Sequence, residues 1–525
     1  MNIFSNNLKR TEILDAKDKI NPSILKQIKI NIHRNHAFEP IESIIAPFLA
    51  FSKIWARFLI GSYDDSLSFD NFQKSDLEII WLDLSRYKNN PTEHINKQLK
   101  YLKNLTTDPI LIIFMDLEIK HLVELSESNL KVIKLSDFLT SNDLDDSKSS
   151  ITGTRLSNKA CIKIAQMLGL KHIPSLLLPT LKAIVLDLDN TLYQGIIGED
   201  GIENIKLTQE HIKLQEKILE YKKQGFLLAI ASKNEEEDAK KLFETRKDFI
   251  LKWDDFDIKK INWDPKAENI KSIAQIFNIG LDSILFIDDN IAEIESVKIL
   301  DIKTILATSP KEVLEILNLF PQMQKNNILK EDLIRSQDIQ ANQIRKSIKN
   351  LSQEEYFKNL KITLDFSIDN KEHIQRITEL LNKTNQFISN YTRPSPEQVN
   401  QWFIDKTIAI VTISMGDKLS DSGIIAIFIG KQHKEKIEII DLCISCRALG
   451  RKLEEIMFFY AIKLISKKLS LPYDEFDVFF QNGERNGPFL EFLSKISHQK
   501  NINPPFVTIK PKEIKLEGLC IKENA

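Results

Sequence analysis

The chain has 525 residues, with 72 lysines and arginines against 74 aspartates and glutamates and a formal charge of −2. Such a balance provides no field to gather nucleic acid or an anionic membrane, and the length exceeds one hydrophobic core, so about three domains are expected. Four cysteines, at 161, 443, 446 and 520, are too few and too dispersed for a disulfide framework; residues 1–20 lack an apolar leader and no apolar run reaches membrane length, so a cytoplasmic protein is expected.

Residues 1–178 alternate strand and helix signals. WARFLIG (55–61), LEIIWLDL (77–84), DPILIIFM (108–115) and LKVIKLS (130–136) read as short buried strands, and TEHINKQLKYLKNL (92–105) has helical periodicity. The alternation predicts a parallel α/β layer. Ser62 in GSYDD is a nucleophile on paper, but no Gly-Asp-Ser pattern and no later Asp-x-x-His accompany it, so a scaffold or docking role is expected.

The run KAIVLDLDNTLYQGIIGEDG (182–201) carries the strongest chemical signal. An apolar strand ends in Asp187 and Asp189, and a period of two puts both carboxylates on one side, at the strand end where open α/β sheets bind ligands. One carboxylate can attack phosphorus and the other can exchange protons with the leaving or entering oxygen, while their shared charge calls for a hard cation such as Mg²⁺. Alone, the pair could be turn chemistry or a helix cap.

Three further motifs follow. FLLAIASKN (226–234) is a buried strand ending in Ser232, a hydroxyl donor for a phosphoryl oxygen, with Lys233 and Asn234 beside it. INWDPKAENI (261–270) places Lys266 just inside a predicted helix, where its ammonium can neutralise charge between phosphate and nucleophile. SILFIDDN (283–290) ends a third apolar strand in Asp288 and Asp289, which complete a carboxylate nest for the metal. The stretches between these motifs are too short for a large cap domain, so an open site is expected. LKEDLIRSQDIQANQIRKSIKN (329–350) reads as a charged helical connector.

The last third changes character. TIAIVTISMGDKLSDSGIIAIFIG (407–430) reads as an antiparallel hairpin, and KIEIIDLCISCRALGRKLEEIMFFYAIKLI runs from a strand through Arg447, Gly450 and Arg451 into a helix. An R-x-x-G-R turn at a helix start can offer backbone N–H groups to a pyrophosphate or phosphopantetheine, or be an ordinary strand-turn-helix. Cys446, at the strand end beside Arg447 and the predicted helix start, has surroundings that favour a nucleophilic thiol. Cys443 falls on the opposite face and reads as core.

DLDNTLYQGIIGEDG, INWDPKAENI and FIDDN together resemble the haloacid dehalogenase (HAD) superfamily of aspartyl-phosphate enzymes, and within it the FkbH-like subfamily. The resemblance implies Asp187 as nucleophile and metal ligand, and Asp189 as general acid/base whose carbonyl also meets the metal. It implies that Thr191 or Ser232 holds the phosphoryl group with Lys266, and that Asp288 and Asp289 complete the Mg²⁺ site. Tyr193 and Gln194 stand where the family usually has Trp-Gly, and Ile291 where Pro is usual. The first region resembles the SGNH-hydrolase-like domain that precedes some FkbH-like proteins; the last resembles GNAT acetyltransferases, with SCRALGR and NKTNQF similar to the matching FkbH-like region.

The expected organisation is α/β throughout. An SGNH-like domain (1–178) precedes a HAD-type Rossmann-like parallel sheet without a large cap (181–322), a helical connector (323–350) and a GNAT-like α+β domain (351–525). The resemblance implies dephosphorylation of 1,3-bisphosphoglycerate and loading of its glyceryl group onto an acyl carrier protein as a thioester, for polyketide or related biosynthesis. Two alternatives stand beside it: a HAD phosphatase acting on a phosphorylated sugar or hydroxy acid with a fused acyl-transferring domain, and a non-catalytic scaffold.

Overall fold

The computed structural model describes residues 2–63, 67–69, 72–87, 91–115, 130–325, 341, 352–483, 485–499 and 502–524; the connector expected over 323–350 lies almost wholly outside them. The chain forms two compact units, Met1–Leu181 with Ala307–Asn327, and Lys182–Leu306 with Ile328–Ala525.

The first unit is built on five parallel strands, β1 (Lys26–Arg34), β2 (Ile54–Ile60), β3 (Leu77–Leu82), β4 (Ile110–Phe114) and β5 (Leu130–Lys134), in the order β2-β1-β3-β4-β5. β3 and β4 are buried at every position, as a parallel sheet covered on both faces requires. β1 has no apolar run to announce it, because its polar side chains are used inside. Asn31 Nδ2 donates to Glu78 Oε1 at 2.9 Å, and His33 Nε2 lies 2.6 Å from Glu78 Oε2.

Strand order reverses between β1 and β3, the position where such sheets open a ligand crevice. Here the chain fills it. Arg155 donates to both oxygens of Asp83 at 2.9 and 3.0 Å, Asn35 and Asp83 bond reciprocally, and Arg86 donates to the carbonyls of Asn35 and Gly153. Ser62 is exposed past the end of edge strand β2. The helix Pro310–Leu319 also belongs to this unit, and the ring of Phe320 stacks on Phe4 and meets Phe51 edge-on. Residues 307–322 thus pack with the first unit and not with the parallel sheet to which the sequence assigns them.

The second unit contains two sheets. The first has β6 (Ala183–Leu186), β7 (Leu227–Ser232), β8 (Ile258–Ile261), β9 (Ile284–Asp288) and β10 (Lys303–Leu306), all parallel, in the order β10-β9-β6-β7-β8. Between β6 and β7 lie only short helices and Gln209–Lys223, and between β7 and β8 only Glu236–Thr245 and a single 3-10 turn, so no cap domain is inserted. The helix Lys266–Phe277 lays Ile270, Ile273, Ala274 and Phe277 onto the sheet at helical spacing and stops at Asn278, whose left-handed backbone (φ 52°) an asparagine tolerates.

The second sheet has seven strands: β11 (Thr363–Ile368), β12 (Ile408–Gly416), β13 (Asp421–His433), β14 (Lys436–Ile444), β15 (Phe476–Phe479), β16 (Phe506–Ile509) and β17 (Cys520–Asn524). Their order is β16-β15-β14-β13-β12-β11-β17, with an antiparallel centre from β11 to β14. Helix Glu454–Leu469 buries Met457, Phe458 and Ile462 on one face, while Ile377 and Leu381 of helix Ile374–Lys383 close the other.

Parallel pairing of β14 with β15 runs only from Ile437–Phe476 to Ile439–Val478. Beyond it the strands part, and residues 387–390 fill the seam. Ser389 N donates to Leu442 O at 3.0 Å, Ile444 N to Phe387 O at 2.9 Å, and Gln481 N to Ser389 O at 2.9 Å. Asn390 Nδ2 adds bonds to the carbonyls of Ile440 and Phe479.

Candidate functional site

In the five-stranded sheet of the second unit, strand order reverses between β6 and β9, so the crevice lies outside their carboxyl ends. Asp187 follows β6, Asp288 ends β9 and Asp289 follows it. One oxygen from each lies within 4.8 Å of the others, a group able to hold a metal ion. The donors are all carboxylate oxygens, which suits a hard divalent cation. Lys266, at the first turn of its helix, reaches the same point: its Nζ donates to Asp288 Oδ2 at 2.6 Å and forms an ion pair with Asp187 Oδ1 at 2.9 Å.

The electrostatics follow from crowding in a dry place. Burial and the Asp187 charge push the Asp288 carboxyl up to about 6, against the pull of Lys266. Asp289 is raised by the same two causes. Burial alone would lower Lys266, but the charges of Asp187 and Asp288 outweigh it and hold the ammonium above its ordinary range. Three carboxylates share one ammonium, so a further cation would relieve the remaining repulsion.

Asp189 sits beside this group in a clamp of its own. Tyr193 Oη donates to its Oδ1 at 2.8 Å, Ile197 N to the same oxygen at 3.2 Å, and Asn234 Nδ2 to its Oδ2 at 2.9 Å. Burial raises the Asp189 carboxyl despite these donors, which suits a group that must give up a proton. Asn234 also donates to Ser232 Oγ at 3.1 Å, so it links the end of β7 to Asp189 instead of facing a phosphate, the role the sequence assigned it. Tyr193, fully buried, is the functional residue the sequence leaves unassigned. A buried phenol needs a polar partner, and Asp189 four residues earlier was the available signal.

The phosphate-binding set divides further. Ser232 and Thr191 are buried at the site, and Thr191 Oγ1 has no hydrogen-bond partner. Lys233 instead turns to Glu293, 2.6 Å away on the helix after β9, so its ammonium is engaged at the surface and not in the crevice.

The loop after β14 corrects a larger part of the expectation. The helix begins at Glu454, not beside Cys446. Gly450 N, the expected phosphate donor, donates to Glu454 Oε1 at 2.6 Å, and Glu454 with Glu455 makes the helix start acidic. Arg451 is buried, with its guanidinium against Ser422, the Met415 sulfur and, at 3.7 Å, the Asp417 carboxylate, so it pins the β12–β13 turn and is not presented to a ligand. Arg447 and Cys446 are half-buried. The Cys446 carbonyl accepts from Asn278 Nδ2 at 2.8 Å, at the far end of the helix that starts with Lys266. Cys443 is fully buried in the core, and burial pushes its thiol up.

Among solved structures, the amino-terminal part of protein BF1531 from Bacteroides fragilis, which contains a phosphatase domain complexed with Mg, is similar at 22% identity, covering 61% of this chain and 100% of that one, with a TM-score of 0.49. Tetrahymena GCN5 is similar at 10% identity over 28% of this chain and 96% of that one, TM-score 0.21. A HAD family enzyme from Bacteroides thetaiotaomicron, complexed with magnesium and inorganic phosphate, is similar at 18% identity over 32% and 70%, TM-score 0.15. No family model and no curated protein matches the chain.

Proposed function

We propose that the second unit is a Mg²⁺-dependent phosphatase of the HAD type, working through an aspartyl-phosphate at Asp187. The observation that carries this reading is Lys266 Nζ placed 2.9 and 2.6 Å from Asp187 and Asp288 within a three-carboxylate group at the switch point of a parallel sheet. An Asp187 oxygen attacks phosphorus while the bond from phosphorus to the leaving oxygen breaks, and Asp189 gives that oxygen its proton. Asp189 then takes a proton from the water that opens the aspartyl-phosphate, returning Asp187 and free phosphate. Lys266 neutralises charge next to the nucleophile, and the hydroxyls of Ser232 and Thr191 are the donors for the phosphoryl oxygens. Asp187, Asp288, Asp289 and the carbonyl of Asp189 would hold Mg²⁺, which supplies charge neutralisation for the phosphoryl group.

Asp187→Asn should remain folded and release no phosphate from any phosphate ester, and a chelator should stop the wild-type protein. Full turnover by the variant would overturn the reading.

The finer reading is that the substrate is 1,3-bisphosphoglycerate and that the glyceryl group passes to the thiol of an acyl carrier protein, by way of Cys446. The FkbH-like motifs support it. The distance from Lys266 to the loop of Cys446 is the length of one twelve-residue helix, about 18 Å. The C1 acyl phosphate would be the acyl donor: the Cys446 thiolate adds to C1 as the bond from C1 to the phosphate oxygen breaks and phosphate leaves. The C3 phosphate ester is removed at Asp187, the glyceryl unit passing between the two ends by release and recapture or on the carrier's arm. Intact-mass analysis of a pantetheinylated carrier after incubation with protein and 1,3-bisphosphoglycerate tests this. No mass gain would exclude carrier loading and leave the phosphatase.

A further inference from the structure

Lys266 and Ser232 stand on different elements, and one hydrogen-bonded node sets them against each other. The helix Lys266–Phe277 starts after Pro265, which offers no side-chain cap. Its start is held instead by Asn262, the residue that follows β8. Asn262 Oδ1 accepts from Asp264 N at 3.0 Å and from Asn269 Nδ2 at 2.8 Å, so a single oxygen grips the loop before the proline and the helix just beyond Lys266. Asn262 Nδ2 returns a longer bond to Asn269 Oδ1 at 3.3 Å. The backbone completes the node on its other side, where Asn262 N donates to Ser232 O at 3.1 Å and extends the parallel pairing of Ser232 with Ile261.

A lysine ends in a point charge on a flexible stem, without the fork that lets an arginine fix its own orientation. The contacts of its Nζ with Asp288 and Asp187, at 2.6 and 2.9 Å, therefore depend on where the helix places its backbone. Lys266 and Asn269 are three residues apart and so neighbours on one helix face. Asn269 is buried, and both ends of its carboxamide are engaged by Asn262. The bond between the two asparagines fixes the first helical turn against the end of β8, and the bond from Asn262 to Ser232 fixes that end against β7. The spacing of ammonium and hydroxyl passes through Asn262.

We infer that Asn262 and Asn269 are positioning residues for the phosphoryl site, holding the Lys266 ammonium in register with the Ser232 hydroxyl for the five-coordinate phosphorus of the reacting state. The inference rests on the phosphatase reading of that site, but its readout is binding, which needs no turnover. Dissociation constants are measured by calorimetry in Mg²⁺ for orthovanadate, which takes the five-coordinate geometry, and for inorganic phosphate, which is tetrahedral. Wild type, Asn262→Ala, Asn269→Leu and Asn262→Asp are compared, and hydrolysis of p-nitrophenyl phosphate is followed alongside.

Asn262→Ala and Asn269→Leu should weaken orthovanadate binding by about tenfold or more and phosphate binding by less than about twofold, because a misplacement of about 1 Å is felt by the reacting geometry and not by the resting one. Asn262→Asp keeps an acceptor for both donors and should bind orthovanadate as wild type does. Should the buried Asn269→Leu fail to fold, the two variants at the half-buried Asn262 decide the matter. Equal weakening of both anions, unchanged orthovanadate affinity in Asn262→Ala, or an Asn262→Asp protein as weak as Asn262→Ala overturns the inference and leaves the phosphatase reading to the hydrolysis assay. Wild type that binds both anions with the expected dependence yet hydrolyses nothing keeps the positioning role and removes the phosphatase reading. Wild type that hydrolyses the ester but does not bind orthovanadate overturns the inference alone, and wild type that neither hydrolyses nor binds removes both.

Discussion

Asp189 is gripped by a phenol, a backbone amide and a carboxamide, and this grip makes the proposed proton-transfer step separable from the proposed nucleophilic one. Tyr193→Phe removes the 2.8 Å bond to Oδ1 and leaves the ring packing against Phe249 in place. A hydrogen bond to a charged group contributes about 1.5–3 kcal/mol, so kcat/KM for an alkyl phosphate, which reports the attack on phosphorus, should fall by about tenfold or more. For p-nitrophenyl phosphate, whose leaving group needs no proton, kcat/KM should barely change, while kcat falls with the opening of the aspartyl-phosphate that Asp189 also serves. Equal loss of kcat/KM for both esters would mean that Tyr193 supports the fold and not Asp189. At this scale the sequence locates, through strand ends and hydrophobic context, the carboxylates that the structure gathers, Asp187, Asp288 and Asp289. It names their supporters poorly: Asn234 and Lys233 sit next to Ser232 in sequence, yet one faces Asp189 and the other Glu293.

The seam between β14 and β15 carries a titrating group among its fasteners. Asp441 accepts hydrogen bonds from Ser389 and Thr392, yet burial, which those donors only partly offset, pushes its carboxyl up to about 7 from an ordinary 3.8. The folded state therefore binds this proton more tightly than the unfolded chain. Its contribution to stability is complete below pH 3.8 and is lost as pH rises through about 7. The thermal midpoint of Asp441→Asn, which cannot ionise, should gain on that of the wild-type protein as pH rises from about 4 to about 8. A variant whose midpoint tracks wild type would show that the carboxyl titrates normally. Elements with a continuous apolar run, such as β3, β4, β6, β7 and β9, are legible in the sequence. β1 is not, because Asn31 and His33 are paid for by Glu78 on the neighbouring strand β3, which is 47 and 45 residues away in sequence. Nor is the fate of Arg451 and Gly450, whose partners Asp417 and Glu454 are fixed by the folding of a hairpin and the start of a helix.

Within the second unit, the carboxylate centre and Cys446 stand at opposite ends of the helix Lys266–Phe277. Phosphate release from a small ester by Cys446→Ser should match wild type, while any thioester on the protein or its carrier should disappear; mass spectrometry and a phosphate assay on one sample check both. A parallel loss of phosphate release would mean that the two ends communicate. The other long-range feature is the path of the chain, which leaves the first unit at Leu181, builds the β6–β10 sheet, and returns as Ala307–Asn327 before continuing. During synthesis the first unit therefore waits for a segment made much later. At about 5–20 residues per second, the nascent β1–β5 region stays without the Pro310–Leu319 helix and Phe320 for roughly ten to thirty seconds. Over that interval Phe4 and Phe51 have each other but not the third ring of their cluster, so the amino-terminal unit is completed only after the β6–β10 sheet has been synthesised, and a shortened polypeptide ending near Leu306 would never complete it.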